Sequence, residues 1–309
     1  MQNPLLSICI PTYNRAEHLK ITIDSIVQQL LFVETNEVEI VISDNCSDDN
    51  TREVVDAFKI SHGDKIQYFR NDVNVLDQNM ELSLRRGNGL FLKLNNDTLK
   101  HHNNSLDVIV NTIKLNLDTK KCLFFLNQRF SQNSFTCRGL DGFVGAVSFH
   151  STWIGSFGIW KEDLVVLTDY SRYAKLQLTQ VDVLFRTIGA DREVFINTDT
   201  LFEAMELPKK GGYDILTVFL DNYTKIIEEA VQNKYLSNTV YIRETEKLLL
   251  NFICPWLAKI KVRPDKFYFT AVNGFQRVRK FYHGNSMLLN KFFLKYQVCL
   301  LYYSIRKFV

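Results

Sequence analysis

The sequence contains no Cys-x-x-Cys pair, no His-Glu-x-x-His or His-x-x-x-His spacing, no Gly-x-Gly-x-x-Gly and no Gly-x-x-x-x-Gly-Lys-Ser/Thr. Each absence removes a class of function. The six cysteines (Cys9, Cys46, Cys122, Cys137, Cys254 and Cys299) are scattered, so the chain reads as reduced rather than as a disulfide framework. The six histidines lack zinc-ligand spacing. Without the glycine signatures, neither a dinucleotide site of the Rossmann type nor a P-loop is supported. Lys and Arg interrupt every apolar run before it reaches the length of a membrane span. The start, Met1-Gln2-Asn3-Pro4, has no basic region and only a short apolar run after it, so no signal peptide is expected. No internal repeat and no low-complexity segment is present.

Acidic residues are also missing from one place. From Lys266 onward there are eight Lys/Arg and no Asp or Glu. The whole chain carries +3, so the first 265 residues sit near −5. A basic, aromatic tail therefore follows a slightly acidic body.

The 309 residues are 46% hydrophobic and 13% aromatic, enough for one large domain or two modest ones. Leu5–Ile10 reads as a strand and Ala16–Leu30 as a helix with Leu19, Ile23, Ile26, Val27 and Leu30 on one face. Val38–Ser43 is a second buried strand, Lys65–Phe69 a third and Leu90–Leu94 a fourth, with helices through Val54, Val55 and Phe58 and around Gln78–Leu84. Strand and helix alternate to about residue 126, which predicts an α/β fold with a mostly parallel sheet flanked by helices. After Cys122–Leu126 the pattern loosens, and Gly139–Gly158 reads as loops and short strands over the sheet edge. Helical stretches follow at Ile215–Val231, Val240–Ile253 and from Phe275. Lys209–Asp214 (KKGGYD) is the best linker. These features divide the chain into an α/β region at 1–212 and a helical, basic aromatic region at 213–309.

Ligands of α/β sheets bind at the carboxyl ends of the strands. Here those ends are polar. Pro11-Thr12-Tyr13-Asn14-Arg15 closes the first strand, Asp44-Asn45 the second, and Asn95-Asn96-Asp97 the fourth. A nucleotide base stacked near Tyr13 and hydrogen-bonded to Asp44, with a divalent cation at Asp97 neutralising a diphosphate, suits this set. The plainer reading of the first cluster is a strand-to-helix turn with Asn14 as cap. Asp48 and Asp49 sit just before a helix, where acids are favoured for capping and dipole reasons.

The stretches SICIPTYNR and EIVISDNCSDDNT, with RRGNGLFLKLNND, resemble the family 2 glycosyltransferases of the GT-A fold. The resemblance covers residues 5–100 well and touches down again at SFGIW and QVDVLFR, and it implies that 1–212 is a catalytic domain with a nucleotide-binding half at about 1–100 and an acceptor half at about 101–212. It implies an inverting transfer from a nucleotide-diphosphate sugar to a hydroxyl of a glycan or lipid-linked oligosaccharide, of the kind that builds O-antigen or capsule. It implies that Pro11, Thr12, Tyr13 and Arg15 line the nucleotide pocket with Asn45 and Asn96, and that Asp44 holds the base. Asn95-Asn96-Asp97 stands where the family carries Asp-x-Asp, so Asp97 would ligate Mg²⁺ or Mn²⁺, with Asn95 as a neutral second donor. Asp182 falls on the family's general base, although Val181 replaces the acid usually before it.

Trp153 and Phe157 are candidates for an acceptor pocket or for core packing. His101, His102 and His150 read as ordinary residues. The tail either packs as helices or lies on an anionic membrane surface with its aromatics inward, placing the protein on the inner face of the cell membrane. Nucleic acid fits poorly with a net acidic body and no nucleic-acid motif. Two rival readings are a nucleotidyltransferase, which lacks its glycine-rich phosphate loop here, and a non-catalytic membrane-associated nucleotide-sugar-binding protein.

Overall fold

The computed structural model describes residues 3–127, 133–207 and 212–306. The chain forms two compact units. The first comprises Met1–Leu140, His150–Lys175 and Thr179–Met205; the second comprises Asp141–Phe149, Leu176–Leu178 and Glu206–Val309. The second unit thus starts at Glu206 and takes in two short excursions from earlier in the chain. Residues 209–211 of the expected linker Lys209–Asp214 lie outside the described residues.

From its amino end the chain runs β1 (Leu6–Thr12), α1 (Ala16–Val27), α2 (Leu30–Glu34), β2 (Val38–Asp44), α3 (Thr51–His62), β3 (Ile66–Arg70), α4 (Gln78–Arg85), β4 (Phe91–Leu94), β5 (Leu99–His101), α5 (Ser105–Leu115) and β6 (Cys122–Phe125). It continues through β7 (Phe135–Arg138), α6 (Gly139–Val147), β8 (Gly158–Trp160), α7 (Lys161–Val166), α8 (Thr179–Ile188), β9 (Glu193–Asn197) and β10 (Phe202–Ala204). The main sheet has the order β3-β2-β1-β4-β8. Its first four strands are parallel and β8 is antiparallel to β4. A three-stranded sheet (β6-β9-β7) and a two-stranded one (β10-β5) complete the unit.

The sheet order explains the sequence pattern. β1 and β2 are covered on both faces, so nearly every residue of LSICIPT and VEIVISD is buried. Leu19, Ile23 and Ile26 of α1 and Ile109, Val110 and Ile113 of α5 join the same apolar cluster. The close approach of chain before β4 requires glycine: a Cβ on Gly89 would lie 2.6 Å from the Ser7 nitrogen. The strand order also runs outward in two directions from β1, to β2 on one side and β4 on the other. That is a topological switch point, and its crevice lies at the carboxyl ends of β1 and β4.

One expectation is corrected. Residues 139–147 form helix α6 rather than loop. Leu140, Phe143, Val144 and Val147 are all fully buried at i, i+3, i+4 and i+7 spacing. This apolar face outweighs the helix-weakening cost of Gly142 and Gly145, roughly 1 kcal/mol each.

In the second unit, a π-helical stretch at Thr217–Tyr223 leads into α9 (Thr224–Gln232). Then come α10 (Asn238–Lys247), a second π-helical stretch at Leu248–Ile253, α11 (Cys254–Val262), α12 (Gly274–Phe281) and α13 (Ser286–Ile305). Ser237 caps α10 and Asn285 caps α13 through their side-chain oxygens. This is the helical C-terminal region that the sequence predicts. No helix among the described residues is long and apolar enough to cross a membrane.

Candidate active site

The residues after β1, β2 and β4 meet at the switch point. The register pairs Thr12 with Asp44 and Cys9 with Leu94, so β1 and β2 end level while β4 stops three residues earlier and 95–97 carry the chain on toward Thr12. Asp97 is the hub. Its Oδ2 accepts from the Thr12 hydroxyl at 2.9 Å and its Oδ1 from the Arg15 guanidinium at 2.9 Å. The Thr22 hydroxyl of α1 donates to the Asp97 carbonyl at 3.0 Å and fixes the turn. Asp97 is buried while the Arg15 side chain stays 47% exposed, so a charged group faces solvent directly in front of the acid. Burial pushes the Asp97 carboxyl above the usual range, against the opposing pull of Arg15 and Thr12.

The loops after β1 and β2 are stitched together. Asn14, at a positive φ of 51°, accepts from the Asp48 N–H at 2.7 Å and donates its own N–H to the Ser47 hydroxyl at 2.9 Å. Asp49 accepts from Thr51 at the start of α3 and from the Ala16 N–H at the start of α1. One acid therefore caps two helices, which is the structural role expected of this position. Tyr13 is 41% exposed beside this loop, an aromatic face open to solvent.

Asp44 is buried at the end of β2. Its Oδ1 accepts from the Ser47 N–H at 2.9 Å and its Oδ2 from the Tyr68 hydroxyl at 2.7 Å, with the Arg70 guanidinium 3.6 Å away. A carboxylate oxygen has two lone pairs, so each can still accept once more. Burial and the Asp44 hydrogen bond push the Tyr68 phenol upward, which keeps it a donor to Asp44.

Three expected site residues have other work. Asn45 is corrected from a donor contact to a scaffold residue. Its Oδ1 accepts from the Val75 N–H and the Asn71 amide, and its Nδ2 donates to Asn74 and to the Leu76 carbonyl. All four of its side-chain bonds are thereby used on the segment 71–76. Asn95 is corrected from a metal ligand to a core residue. It is fully buried and its Oδ1 faces His101 Nε2 at 3.1 Å. An amide oxygen only accepts, so Nε2 carries the proton, and Nδ1 accepts from the Ser105 hydroxyl at 2.9 Å. Burial, with Lys93 and His102 nearby, holds His101 well below its ordinary pKa. Phe157 is corrected from an acceptor contact to a core residue, since it is only 1% exposed. Trp153 is half-buried, its ring 6.2 Å from that of Phe202. Pro11 is the half-buried residue of β1.

Asp182, in the first turn of α8, is buried and doubly paired. Arg172 contacts both its oxygens, and Arg186 contacts Oδ2. Arg186 also reaches Asp169 at 2.7 Å. The other acids of the region are paired too, Asp163 with Arg192.

Sequence reasoning misses the Arg15–Asp97 pair, the Arg172–Asp182 pair and Lys93. Lys93 is a fully buried lysine in β4 whose ammonium donates to the Leu94 and Gly155 carbonyls at 3.2 and 2.8 Å and lies 4.4 Å from the Phe202 ring centre. Burial lowers its pKa to about 7. The only signal for it is one charge inside an apolar strand, FLKL.

Hard oxygen donors of the type Mg²⁺ or Mn²⁺ takes are present in Asp97 and in Asn96, whose buried Oδ1 has no hydrogen-bond partner. Among the described residues no cluster of three or more His, Cys, Asp or Glu is suited to a metal. By donor chemistry these two oxygens suit a cation that would take its remaining ligands from water and substrate, as Mg²⁺ commonly does. A surface groove of about 570 Å³ lies elsewhere, against α1 and α3 between Lys20, Asp24, Val54, Phe58 and His62.

Residues 7–92 match the family model described as glycosyl transferase family 2. Over 86 residues the chain is 43% identical to the abequosyltransferase RfbV of Salmonella typhimurium, a match covering 28% of this chain and 25% of that protein. Over 56 residues it is 45% identical to the validoxylamine A glucosyltransferase of Streptomyces hygroscopicus, covering 18% of this chain and 13% of that protein. The chain thus matches a quarter or less of the length of these curated relatives. Two solved structures share its fold over nearly its whole length. TarS 1-349 of S. aureus in complex with UDP superposes with a TM-score of 0.59 at 12% identity, covering 96% of this chain and 90% of that one. The mannosyltransferase PcManGT of Pyrobaculum calidifontis, in complex with GDP-Man and Mn²⁺, gives 0.57 at 14% identity, covering 97% and 88%. The fold is that of the GT-A glycosyltransferases.

Proposed function

We propose that the protein is an inverting glycosyltransferase that moves a sugar from a nucleotide-diphosphate sugar to a hydroxyl of a glycan or lipid-linked acceptor in surface polysaccharide synthesis. The observation that carries this reading is the buried Asp97 with Arg15 and Thr12 at the switch point between β1 and β4. The 7–92 match to glycosyl transferase family 2 supports it.

Tyr13 offers an open ring to the base, and Asp44 offers its free lone pairs to base or ribose. Arg15 stands where a diphosphate needs a positive charge. Asp97 and Asn96 would hold a divalent cation, which when bound supplies charge stabilisation for the departing diphosphate. Thr12 and Thr22 hold Asp97 in place for that task.

Asp182 is the base in this proposal. Arg172 and Arg186 fix its orientation; both donate to Oδ2, while Oδ1 accepts from Arg172 alone and keeps its second lone pair for a proton. It takes the proton of the acceptor hydroxyl as that oxygen attacks the anomeric carbon from the side opposite the leaving diphosphate. General-base help of this kind contributes about 10²–10⁴-fold. Trp153 is placed at the acceptor, against whose sugar rings an aromatic face packs well. The acceptor is set at the inner face of the cell membrane.

The test is a panel of UDP-, GDP-, CDP- and dTDP-sugars with Mn²⁺, read by thermal stabilisation and by released nucleotide. A ligand at 100 times its Kd adds about 2.7 kcal/mol. Stabilisation by one nucleotide class with slow nucleotide release is the expected result. A protein stabilised by none of the four does not have this function.

A further inference from the structure

Helix α13 is apolar on nearly every side, yet only one side is covered. Leu288, Phe292 and Tyr296 are buried, and the helix packs on α11. Phe292 and Tyr296 also meet the Phe275 ring, at 6.1 and 4.9 Å between ring centres. Phe292 and Tyr296 therefore face the protein, while Phe275 and Tyr302 stay partly exposed. A second stripe points away from it. Met287, Leu294, Val298, Leu301 and Ile305 recur at spacings of seven, four, three and four residues, so they share one helix face, and each is 59–71% exposed. Helices apolar on all sides are ordinarily buried on all sides, so this face is built to be covered.

The charges around the stripe select what covers it. The stretch from Lys266 onward contains no Asp or Glu of its own; Arg277 is answered by Asp214 and Asp221, but Lys280 and Lys291 are exposed and have no ion pair among the described residues. A second copy meeting the stripe through a two-fold axis would bring Lys291, four residues from Met287 and three from Leu294, against its own counterpart. A neutral apolar partner would use the stripe and leave the cations unanswered. A bilayer with anionic headgroups answers both: acyl chains receive the aliphatic side chains, and headgroups receive the lysines and arginines.

We propose that α13 is an in-plane docking helix whose exposed aliphatic face inserts into an anionic lipid surface, while Phe292 and Tyr296 hold the helix to the protein. This gives a physical surface to the membrane address assumed for the acceptor, and it rests on that reading only for its biological use. Vesicle binding is measured without donor or acceptor, so its failure leaves sugar transfer untouched, and the reverse.

The test is flotation of the full chain with vesicles of phosphatidylcholine alone and of phosphatidylcholine with 30% phosphatidylglycerol, at about 0.1 M salt. Leu294→Glu/Leu301→Glu and Lys280→Gln/Lys291→Gln are compared with the wild type. All four positions are exposed, and circular dichroism with a thermal melt checks that the variants fold. We expect the wild type to float with the anionic vesicles, the leucine variant to bind them at least about tenfold more weakly, and the lysine variant to bind several-fold more weakly with a reduced salt dependence. Wild-type binding by the folded leucine variant overturns the proposal, as does equal binding of the wild type to neutral and anionic vesicles. A wild type that stays off both vesicles and forms a dimer that Leu294→Glu/Leu301→Glu splits overturns it in favour of a second copy.

Discussion

The carboxyl edge of the main sheet and the outer face of α13 break the rules of burial in opposite ways. At the sheet edge, Asp44 and Asp97 lie inside the protein with hydrogen-bond partners on both carboxylate oxygens. On α13, Leu294 and Leu301 lie outside with nothing over them. Buried carboxylates cost free energy unless they are paired, and exposed aliphatic side chains forgo about 25 cal/mol per Å². The sheet edge offsets its cost internally and waits for a small, charged, directional ligand. The helix face can be offset only from outside, by a broad apolar surface. One region is organised by hydrogen bonds and the other by area, so single substitutions should cut deep in the first and shallow in the second.

The deepest cut is expected at Asp97. Asp97→Ala should lower sugar transfer by roughly 10³-fold, the upper end for one electrostatic group. The melting temperature should move little, because the half-exposed Arg15 is free to turn to water. Steady-state transfer and a thermal melt on one preparation check this. A large loss of stability with unchanged residual transfer would make Asp97 a structural acid and erase the contrast with α13.

Asp182→Asn comes next. The amide keeps size and shape but accepts no proton at neutral pH. Donor affinity should hold within about two-fold while single-turnover transfer falls by about 10²-fold. Near wild-type turnover moves the base elsewhere, with Asp169, the most exposed acid of this cluster, the first to try.

Lys93 sharpens the comparison through stability. Its pKa is about 7 in the fold against 10.5 unfolded. A depressed pKa in the folded state means that the unfolded chain binds the proton more tightly. Stability should therefore rise as pH increases from 7 to 10.5 and be lowest below 7, where the ammonium is charged inside the core. Lys93→Met should raise the melting temperature most below pH 7 and flatten the rise above it, with a gain of about 1–4 kcal/mol for removing a buried charge. A destabilised variant would show that the bonds to Leu94 and Gly155 outweigh the burial cost.

What was legible in the sequence follows the same division. The parallel sheet was readable because strands covered on both faces must be apolar almost throughout, as SICI and VEIVIS are. The strand mouths were readable because polar and aromatic residues interrupt those runs abruptly at Thr12, Asp44 and Asn95. Which side chain of a pair turns inward was not readable. Asn95 and Asn96 are neighbours of one type, and only the distant His101 assigns the first to the core. Asn45 looked like Asp44 until the segment 71–76 used all four of its bonds. Gly139–Val147 looked like loop because glycine content masked a regular apolar spacing. The tail's basic and aromatic character was plain, but whether its aromatics pack on the protein or face lipid was not, and the structure divides them: Phe292 and Tyr296 are buried while Phe275 and Tyr302 are partly exposed.

The central claim is that a nucleotide diphosphate binds at the mouths of β1 and β4 with Arg15 on its phosphates. The direct measurement is calorimetric titration of UDP, GDP, CDP and dTDP, with MnCl₂, into the wild type and into Arg15→Ala. The account predicts that one of the four binds the wild type and that Arg15→Ala weakens it at least about tenfold, while the free nucleoside distinguishes the two proteins by less than two-fold. A nucleotide that binds Arg15→Ala as tightly as the wild type, or a wild type that binds none of the four, contradicts it.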